Sequence, residues 1–357
     1  MRVLMVNDLP TSRGEGHGGA EVVVERLTVA LETQGHQVRL HSRPAPRTGV
    51  SKAGAFWDPI EARRLTAVVR EFEPDVVHAH NLLRELSSAV LRPLRHLPVV
   101  MTVHDLRLAG IVLGQRSLPE RLLDGAIKQP LDARAVRRSV RHYVTVGTTA
   151  AEVLQRKGFR PVTVIEPLAP DWPAAVTLPS DSSALCFVGR LSPDKGVDVA
   201  LAAFGALDLP GAQLLIVGEG SERAELQASA PPGVRFLGRL ASAELAAVLA
   251  GVRAVVVPSL PALRPETSSL TSIEAAWSGR PVLASDDPAL EALVTRLGCG
   301  IVTRAGDVSA LTSAMRQVLT DGDLADRLGA DGAATVRATN APEVIASAYL
   351  ELYRSVL

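Results

Sequence analysis

The sequence predicts an α/β protein of two doubly wound domains, and three observations carry that expectation. The chain has 357 residues, more than one ordinary core holds and enough for two domains of usual size. Short Val/Leu/Ile-rich runs alternate with longer segments of helical period in two successive series. Between the series lies a Pro-rich stretch without usable period, EPLAPDWPAAVTLPSDSS at 166–183, the candidate interdomain linker. The boundary therefore falls near 168, with an N-terminal domain over 1–168 and a C-terminal domain from 169.

The first series reads RVLMVN (2–7), QVRLH (37–41), DVVHAH (75–80), PVVMTVH (98–104) and HYVTVG (142–147). Continuous apolar runs of this length suit strands buried on both faces of a parallel sheet. Between the first two runs, AEVVVERLTVALETQ (20–34) has helical period, and Gly35 supplies its C-terminal cap. The second series is ALCFVG (184–189), AQLLIVG (212–218), VRFLG (234–238), AVVVPS (254–259), PVLAS (281–285) and GIVT (300–303). A last helix, EVIASAYLELYRSVL (343–357), follows the break at Asn340-Ala341-Pro342.

Composition narrows the class. The chain is 47% hydrophobic and 21% charged with formal net charge +0, the profile of a globular protein. Residues 1–168 carry 24 Lys/Arg against 17 Asp/Glu and the remainder 14 against 21, so the first half is basic by seven charges and the second acidic by seven. Cys186 and Cys299 both lie in apolar runs and read as small core residues rather than as a disulfide or zinc pair. The apolar run at the N-terminus is too short for a signal-peptide core, and no apolar stretch reaches membrane-spanning length, which predicts a cytoplasmic protein. Aromatics make up 3% and no nucleic-acid-binding signature occurs, so a nucleic-acid partner is not expected.

In open α/β sheets ligands gather beyond the carboxyl ends of strands, near helix N-termini whose free N–H groups attract anions. Four polar segments fall there. The Gly-rich loop after the first strand ends in Gly18 and Gly19 and opens a helix; it suits close backbone approach to a phosphate, or is simply a surface loop, and it lacks the GxGxxG spacing of a dinucleotide site. GRLSPDKG (189–196) puts Gly189 and Arg190 at a strand end and Lys195 at the next helix, two cations able to neutralise a diphosphate or merely to frame a turn in solvent. PETSSLTSIEAAWSGRPVLASD (265–286) holds Glu266 in a loop and Glu274 in the second turn of a helix starting near Thr267 or Ser268. Carboxylates accept hydrogen bonds from vicinal hydroxyls, so the pair could hold a sugar and a ribose, with the free amides of Ser269 and Leu270 meeting a phosphate between them. A dipole-favoured first glutamate and an exposed mid-helix second one are the plainer alternative. Asp286-Asp287 before Pro288 read as a helix cap rather than a metal pair. His78 and His80 read as satisfied core residues, with contact to a bound substrate as the second reading.

Taken together, GHGGAE near the start, TVHD (102–105), VGRLSPDKG (188–196), IVGEGSERAEL (216–226), FLGRL (236–240) and the 265–286 segment resemble the GT-B glycosyltransferases of family 4, over essentially the whole chain and in order. The resemblance implies two Rossmann-like domains facing each other across a cleft: an acceptor-binding domain over 1–168, with the helix from 342 to 357 packed back on it, and a nucleotide-sugar-binding domain over 169–341. It implies a retaining, metal-independent transferase without cofactor whose donor is a nucleotide-sugar, UDP- or GDP-linked. Carried onto this sequence, Glu266 binds donor-sugar hydroxyls, Glu274 the ribose, Arg190 and Lys195 the diphosphate. Gly18 and Gly19 face the phosphate, Gly189 belongs to the phosphate loop, Arg239 and Leu240 lie beside the base, and His104 contacts the transferred sugar with Asp105 in support. Two departures stand out: Thr267-Ser268-Ser269 replace the usual Gly-Phe-Gly, and Glu166-Pro167 replace the usual Asn-Gly.

The resemblance leaves the acceptor open among a carbohydrate, a lipid-linked and a small-molecule acceptor. Arg134, Arg137, Arg138 and Arg141 at i, i+3, i+4 and i+7 form one basic helical face, which is a solvated face, a peripheral contact with anionic lipid at the inner face of the membrane, or a surface for a phosphorylated acceptor. The rival readings are a GT-B sugar-nucleotide epimerase, which needs no acceptor, and a non-catalytic two-domain sugar-binding protein.

Overall fold

The computed structural model describes residues 1–8, 18–43, 58–80, 82, 86–110 and 129–357. The chain divides into two compact units, Met1–Leu168 with Pro342–Leu357, and Ala169–Ala341. Among the described residues no helix is long and apolar enough to cross a membrane.

The first unit runs β1 (Arg2–Asn7), α1 (Gly19–Thr33), β2 (Gln37–Ser42), α2 (Pro59–Phe72), β3 (Val76–His80), β4 (Val99–Val103), α3 (Gln129–Ser139), β5 (His142–Thr145), α4 (Thr148–Arg156) and β6 (Val162–Val164). Its sheet is parallel throughout, in the order β2-β1-β3-β4-β5-β6. β3 and β4 are buried at every residue, as double-faced strands must be. Side chains alternate across such a strand. Val77, Ala79, Val99, Met101 and Val103 enter one core, so His78, His80 and Thr102 share the other face. β6 escapes the sequence reading because it has three residues, is at the sheet edge and is nowhere fully buried.

The second unit runs β7 (Ala184–Val188), α5 (Val197–Gly205), β8 (Gln213–Val217), α6 (Arg223–Ser229), β9 (Val234–Gly238), α7 (Ser242–Ala250), β10 (Ala254–Val257), α8 (Leu270–Trp277), β11 (Val282–Ser285), α9 (Pro288–Leu297), β12 (Gly300–Thr303), α10 (Val308–Thr320) and α11 (Gly322–Thr339). Its six parallel strands lie in the order β12-β11-β10-β7-β8-β9, with a core on each face. The strand order reverses between β7 and β10, and that is where an open α/β sheet leaves a crevice.

The Pro-rich stretch is not a free tether. Ala169 and Trp172 pack into the second core, and the Trp277 indole N–H donates to the Trp172 carbonyl at 3.0 Å. α12 (Pro342–Val356) belongs to the first unit, where the Tyr353 hydroxyl meets His78 Nδ1 at 2.6 Å. Both cysteines are buried free thiols, pushed up to about 12 by burial.

Candidate functional site

A cluster of paired polar side chains in the second unit lies beyond the carboxyl ends of β7 and β10. After β7 the chain passes Gly189 and Arg190, makes a 3₁₀ turn at Pro193–Lys195 and enters α5 through Gly196. Gly196 has φ +63, and a Cβ there would lie 2.1 Å from the Pro258 carbonyl oxygen, so only glycine lets this turn close on the loop after β10. The Leu260 N–H donates to the Asp194 carbonyl at 2.9 Å, joining the two loops. Lys195 therefore sits in the turn before the helix, not in it.

That closure brings Lys195 to Glu266. Lys195 Nζ is 2.5 Å from Glu266 Oε1, which also accepts from Ser259 Oγ at 2.8 Å. Arg190 stands on the same turn and pairs with Asp194 at 3.6 Å. Burial would raise the Asp194 carboxyl, but the Ser192 hydroxyl and the charges of Arg190, Lys195 and Arg264 outweigh it and hold the group below its ordinary value. The plain reading of two solvated cations is thus overturned for Lys195, while Arg190 remains more than half exposed.

α8 begins at Leu270, two or three residues later than the sequence suggested, because the Ser269 hydroxyl caps it by accepting from Ser272 N at 3.1 Å. The Thr271 hydroxyl donates to the Val188 carbonyl at 3.2 Å, setting the first turn of α8 against the end of β7. Glu274 lies in the second turn and is only 5% exposed, which excludes the solvated mid-helix alternative. Arg239, exposed, and Leu240, half-buried, follow β9. In the neighbouring β8 turn, Gly218 has φ +137 and abuts the Gly189 carbonyl so closely that a Cβ would lie 1.8 Å away. Glu219 there pairs with Arg223.

Asp287 was expected as a helix cap and is one: Oδ1 accepts from Ala289 N at 2.9 Å. What the sequence reading missed is the other oxygen, Oδ2, which accepts from Glu266 N at 3.0 Å. Nothing in the local pattern signals a bond across 21 residues. Burial pushes the Asp287 carboxyl above its ordinary value, against the amides of Glu266, Ala289 and Leu290 that hold it down.

In the first unit the expected residues also stand at carboxyl ends of strands. Gly19 opens α1, and the Gly18 N–H donates to Glu21 Oε2 at 2.8 Å; the rest of the Gly-rich loop, 9–17, is outside the described residues. His104 follows β4 and meets His80 Nδ1 through Nε2 at 2.9 Å, the rings stacked at 5.3 Å. His78 is satisfied on both nitrogens, by Tyr353 and by the Thr102 hydroxyl at 2.7 Å. His80 is not the satisfied core residue expected, since its Nε2 is buried with no partner among the described residues. Asp105 caps the next turn through Arg107 N and pairs with the Arg107 guanidinium at 3.2 Å. Burial lowers His104 to about 4, against the pull of Asp105, and His78 to about 3.

The basic face is broken. Arg141 lies beyond the end of α3 and donates to the Val356 carbonyl, while Arg137 stacks on Phe159 at 4.3 Å and donates to the Lys157 carbonyl.

Comparisons with known proteins agree with this arrangement. Residues 182–321 match the model for "Glycosyl transferases group 1" and residues 17–168 the model for "Glycosyltransferase Family 4". A glycogen synthase of Mycobacterium tuberculosis is 31% identical over 72% of this chain, which spans 63% of that relative's length. A GDP-mannose-dependent alpha-mannosyltransferase of Mycolicibacterium smegmatis is 31% identical over 72% of this chain and 67% of its own. The structure of a sucrose-phosphate synthase from Thermosynechococcus elongatus superposes with a TM-score of 0.79 at 21% identity, covering 99% of each chain, a likeness that establishes the GT-B fold. Two matched models, one over each unit, and relatives at this identity leave one conclusion: the chain belongs to the family 4, group 1 glycosyltransferases.

Proposed function

We propose that this protein moves a sugar from a nucleotide-diphosphate-sugar to an acceptor hydroxyl, with retention at the anomeric carbon and without a metal ion. The observation that carries the reading is the Lys195–Glu266 pair, with Arg190 paired to Asp194 beside it, where the strand order of the second sheet reverses. Cations there suit a diphosphate, and a carboxylate beside them suits the hydroxyls of the sugar it carries. The capped start of α8 offers the Ser269 and Leu270 amides to a phosphate, and buried Glu274 lies one turn further on, suited to a ribose diol. Gly189 gives close backbone approach at the end of β7, and Arg239 with Leu240 is assigned to the base. In the first unit, Gly18, Gly19 and His104 are assigned by family resemblance, His104 as a neutral imidazole acting on a sugar hydroxyl. A relative that uses GDP-mannose supports a nucleotide-sugar donor.

In this reading the acceptor oxygen attacks the anomeric carbon, the carbon–phosphate-oxygen bond breaks on the same face, and the acceptor proton passes to the departing phosphate oxygen. Lys195 and Arg190 stabilise the charge that develops on that phosphate. Removing one such donor typically raises a barrier by roughly 2.7–4 kcal/mol.

The test begins with thermal shifts against UDP-, GDP-, ADP- and dTDP-sugars in EDTA, followed by product analysis with the stabilising donor and a panel of acceptors. The expected result is one responsive nucleotide class, a glycoside of retained configuration, and a kcat about 100-fold lower or worse in Lys195→Ala. Glu274→Ala should weaken the thermal response. An isomerised nucleotide-sugar as sole product would establish the epimerase instead, and wild-type turnover by Lys195→Ala would remove the phosphate assignment.

A further inference from the structure

The loop from Pro258 to Ser269 carries Glu266 between the end of β10 and the cap of α8 and contains no helix or strand of its own. A carboxylate on such a segment binds a sugar reproducibly only if its backbone is held. Two contacts fix the side chain: Ser259 Oγ and Lys195 Nζ, both on Glu266 Oε1. The backbone is held from elsewhere. Asp287, fully buried in the two-residue connection between β11 and α9, receives the Glu266 N–H on Oδ2 while Oδ1 caps α9 at Ala289 N.

The two oxygens of one carboxylate thus join the rigid start of a helix to the amide of the donor-binding loop. A helix cap alone needs one oxygen, and Asn or Ser would supply it. A carboxylate is required only if the second oxygen has work to do, because an amide side chain has a single acceptor atom. We propose that Asp287 is a positioning residue for Glu266, fixing the loop amide so that the Glu266 carboxylate meets the donor sugar. The inference rests on the reading that Glu266 binds that sugar.

The substitution that separates cap from clamp is Asp287→Asn. Its one carbonyl oxygen can keep the cap, where two helix amides compete for it, and then presents N–H rather than an acceptor to Glu266 N. Asp287→Asn keeps the cap and loses one bond, so its melting temperature should fall less than that of Asp287→Ala, while kcat/KM for the donor falls roughly 10- to 100-fold, as loss of orientation of about 1 Å produces. Asp287→Ala loses both bonds and should fall in melting temperature as well as in kcat/KM. A structural role alone leaves the kinetic constants of both variants unchanged below their melting temperatures, and that result overturns the proposal. Glu266→Gln separates the two levels of the argument. Wild-type donor kinetics in Glu266→Gln would remove the reading beneath the inference, whereas an impaired Glu266→Gln beside an unimpaired Asp287→Asn would remove the inference alone.

Discussion

The two units build their strand ends from opposite electrostatics. In the second, charged groups are kept in ion pairs and carboxylate–amide bonds: Lys195 on Glu266, Arg190 on Asp194, Glu266 N on Asp287. In the first, the corresponding region is a stack of imidazoles, His78, His80 and His104, with Thr102, Tyr349 and Tyr353. Burial drives all three rings towards the neutral form. All eight histidines of the chain fall in residues 1–168, none in the second unit. The same β/α scaffold therefore carries paired charges at the strand ends of one unit and neutral hydrogen-bonding rings at those of the other.

Acid should separate the two most strongly. A histidine whose folded pKa is depressed below 6.5 stays neutral in the native state while the unfolded chain takes up a proton. Its contribution to stability is complete above about pH 6.5 and is lost as pH falls from there towards the folded value, near 4 for His104 and near 3 for His78. Each such ring costs about 1.4 kcal/mol per pH unit in that window, so three together approach 4 kcal/mol per unit. Asp194, held below its ordinary value of 3.8, keeps its share down to about that value and loses it only as pH falls further through the depressed one, so it contributes no loss between pH 7 and pH 5. Peptide-resolved hydrogen exchange, corrected for intrinsic rates, should show β3 and β4 losing protection between about pH 7 and pH 5 while β7 and β10 keep theirs. Equal loss in both sheets would refute the contrast.

Much of this division was legible in the sequence, and what was not shares one physical cause. The strands of both sheets follow from continuous apolar runs, and Lys195, Glu266 and Glu274 follow from motifs whose parts lie within a few residues of a strand end or helix start. The clamp from Asp287 to Glu266 and the bonds from His78 to Tyr353 span 21 and 275 positions, and no local period encodes them. His78 and His80 were read as satisfied core residues, which holds for His78 alone, and the Tyr353 partner of His78 comes from a helix 275 positions away. Burial of Glu274 was equally invisible, since a helix pattern cannot say which polar side chain the tertiary fold will cover.

That docking supplies the next test. The Tyr353 hydroxyl is fully buried and meets His78 Nδ1 at 2.6 Å, whereas Tyr349 shares the Thr102 hydroxyl at 3.2 Å. Tyr353→Phe leaves one nitrogen of a buried imidazole without a partner, a loss of roughly 1–3 kcal/mol. Tyr349→Phe removes a longer bond to a hydroxyl that keeps His78 as its other partner, and should cost less. Urea unfolding followed by the exchange of β3 and β4 amides checks both. If the two variants are equally stable, the imidazole stack is not what ties α12 to the sheet.

The smallest effect is expected where the first unit meets water. Of the four arginines that the sequence aligns on one face, Arg134 and Arg138 are exposed on α3, Arg137 covers Phe159, and Arg141 has left the helix for the Val356 carbonyl. A solvated charge contributes little to stability, so Arg134→Ala with Arg138→Ala should change it by no more than about 0.5 kcal/mol. Arg137→Ala should cost more, because a stacked guanidinium is worth roughly 0.5–1 kcal/mol beyond the carbonyl bond it also makes. Chemical denaturation of the double and single variants orders them. The same proteins measure what the exposed pair does outside the fold, since each basic residue near an anionic bilayer is worth about 1 kcal/mol. Sedimentation with acidic vesicles at low salt should therefore be weak for the wild type and weaker for the double variant; strong, unchanged binding by both would put the contact on another surface.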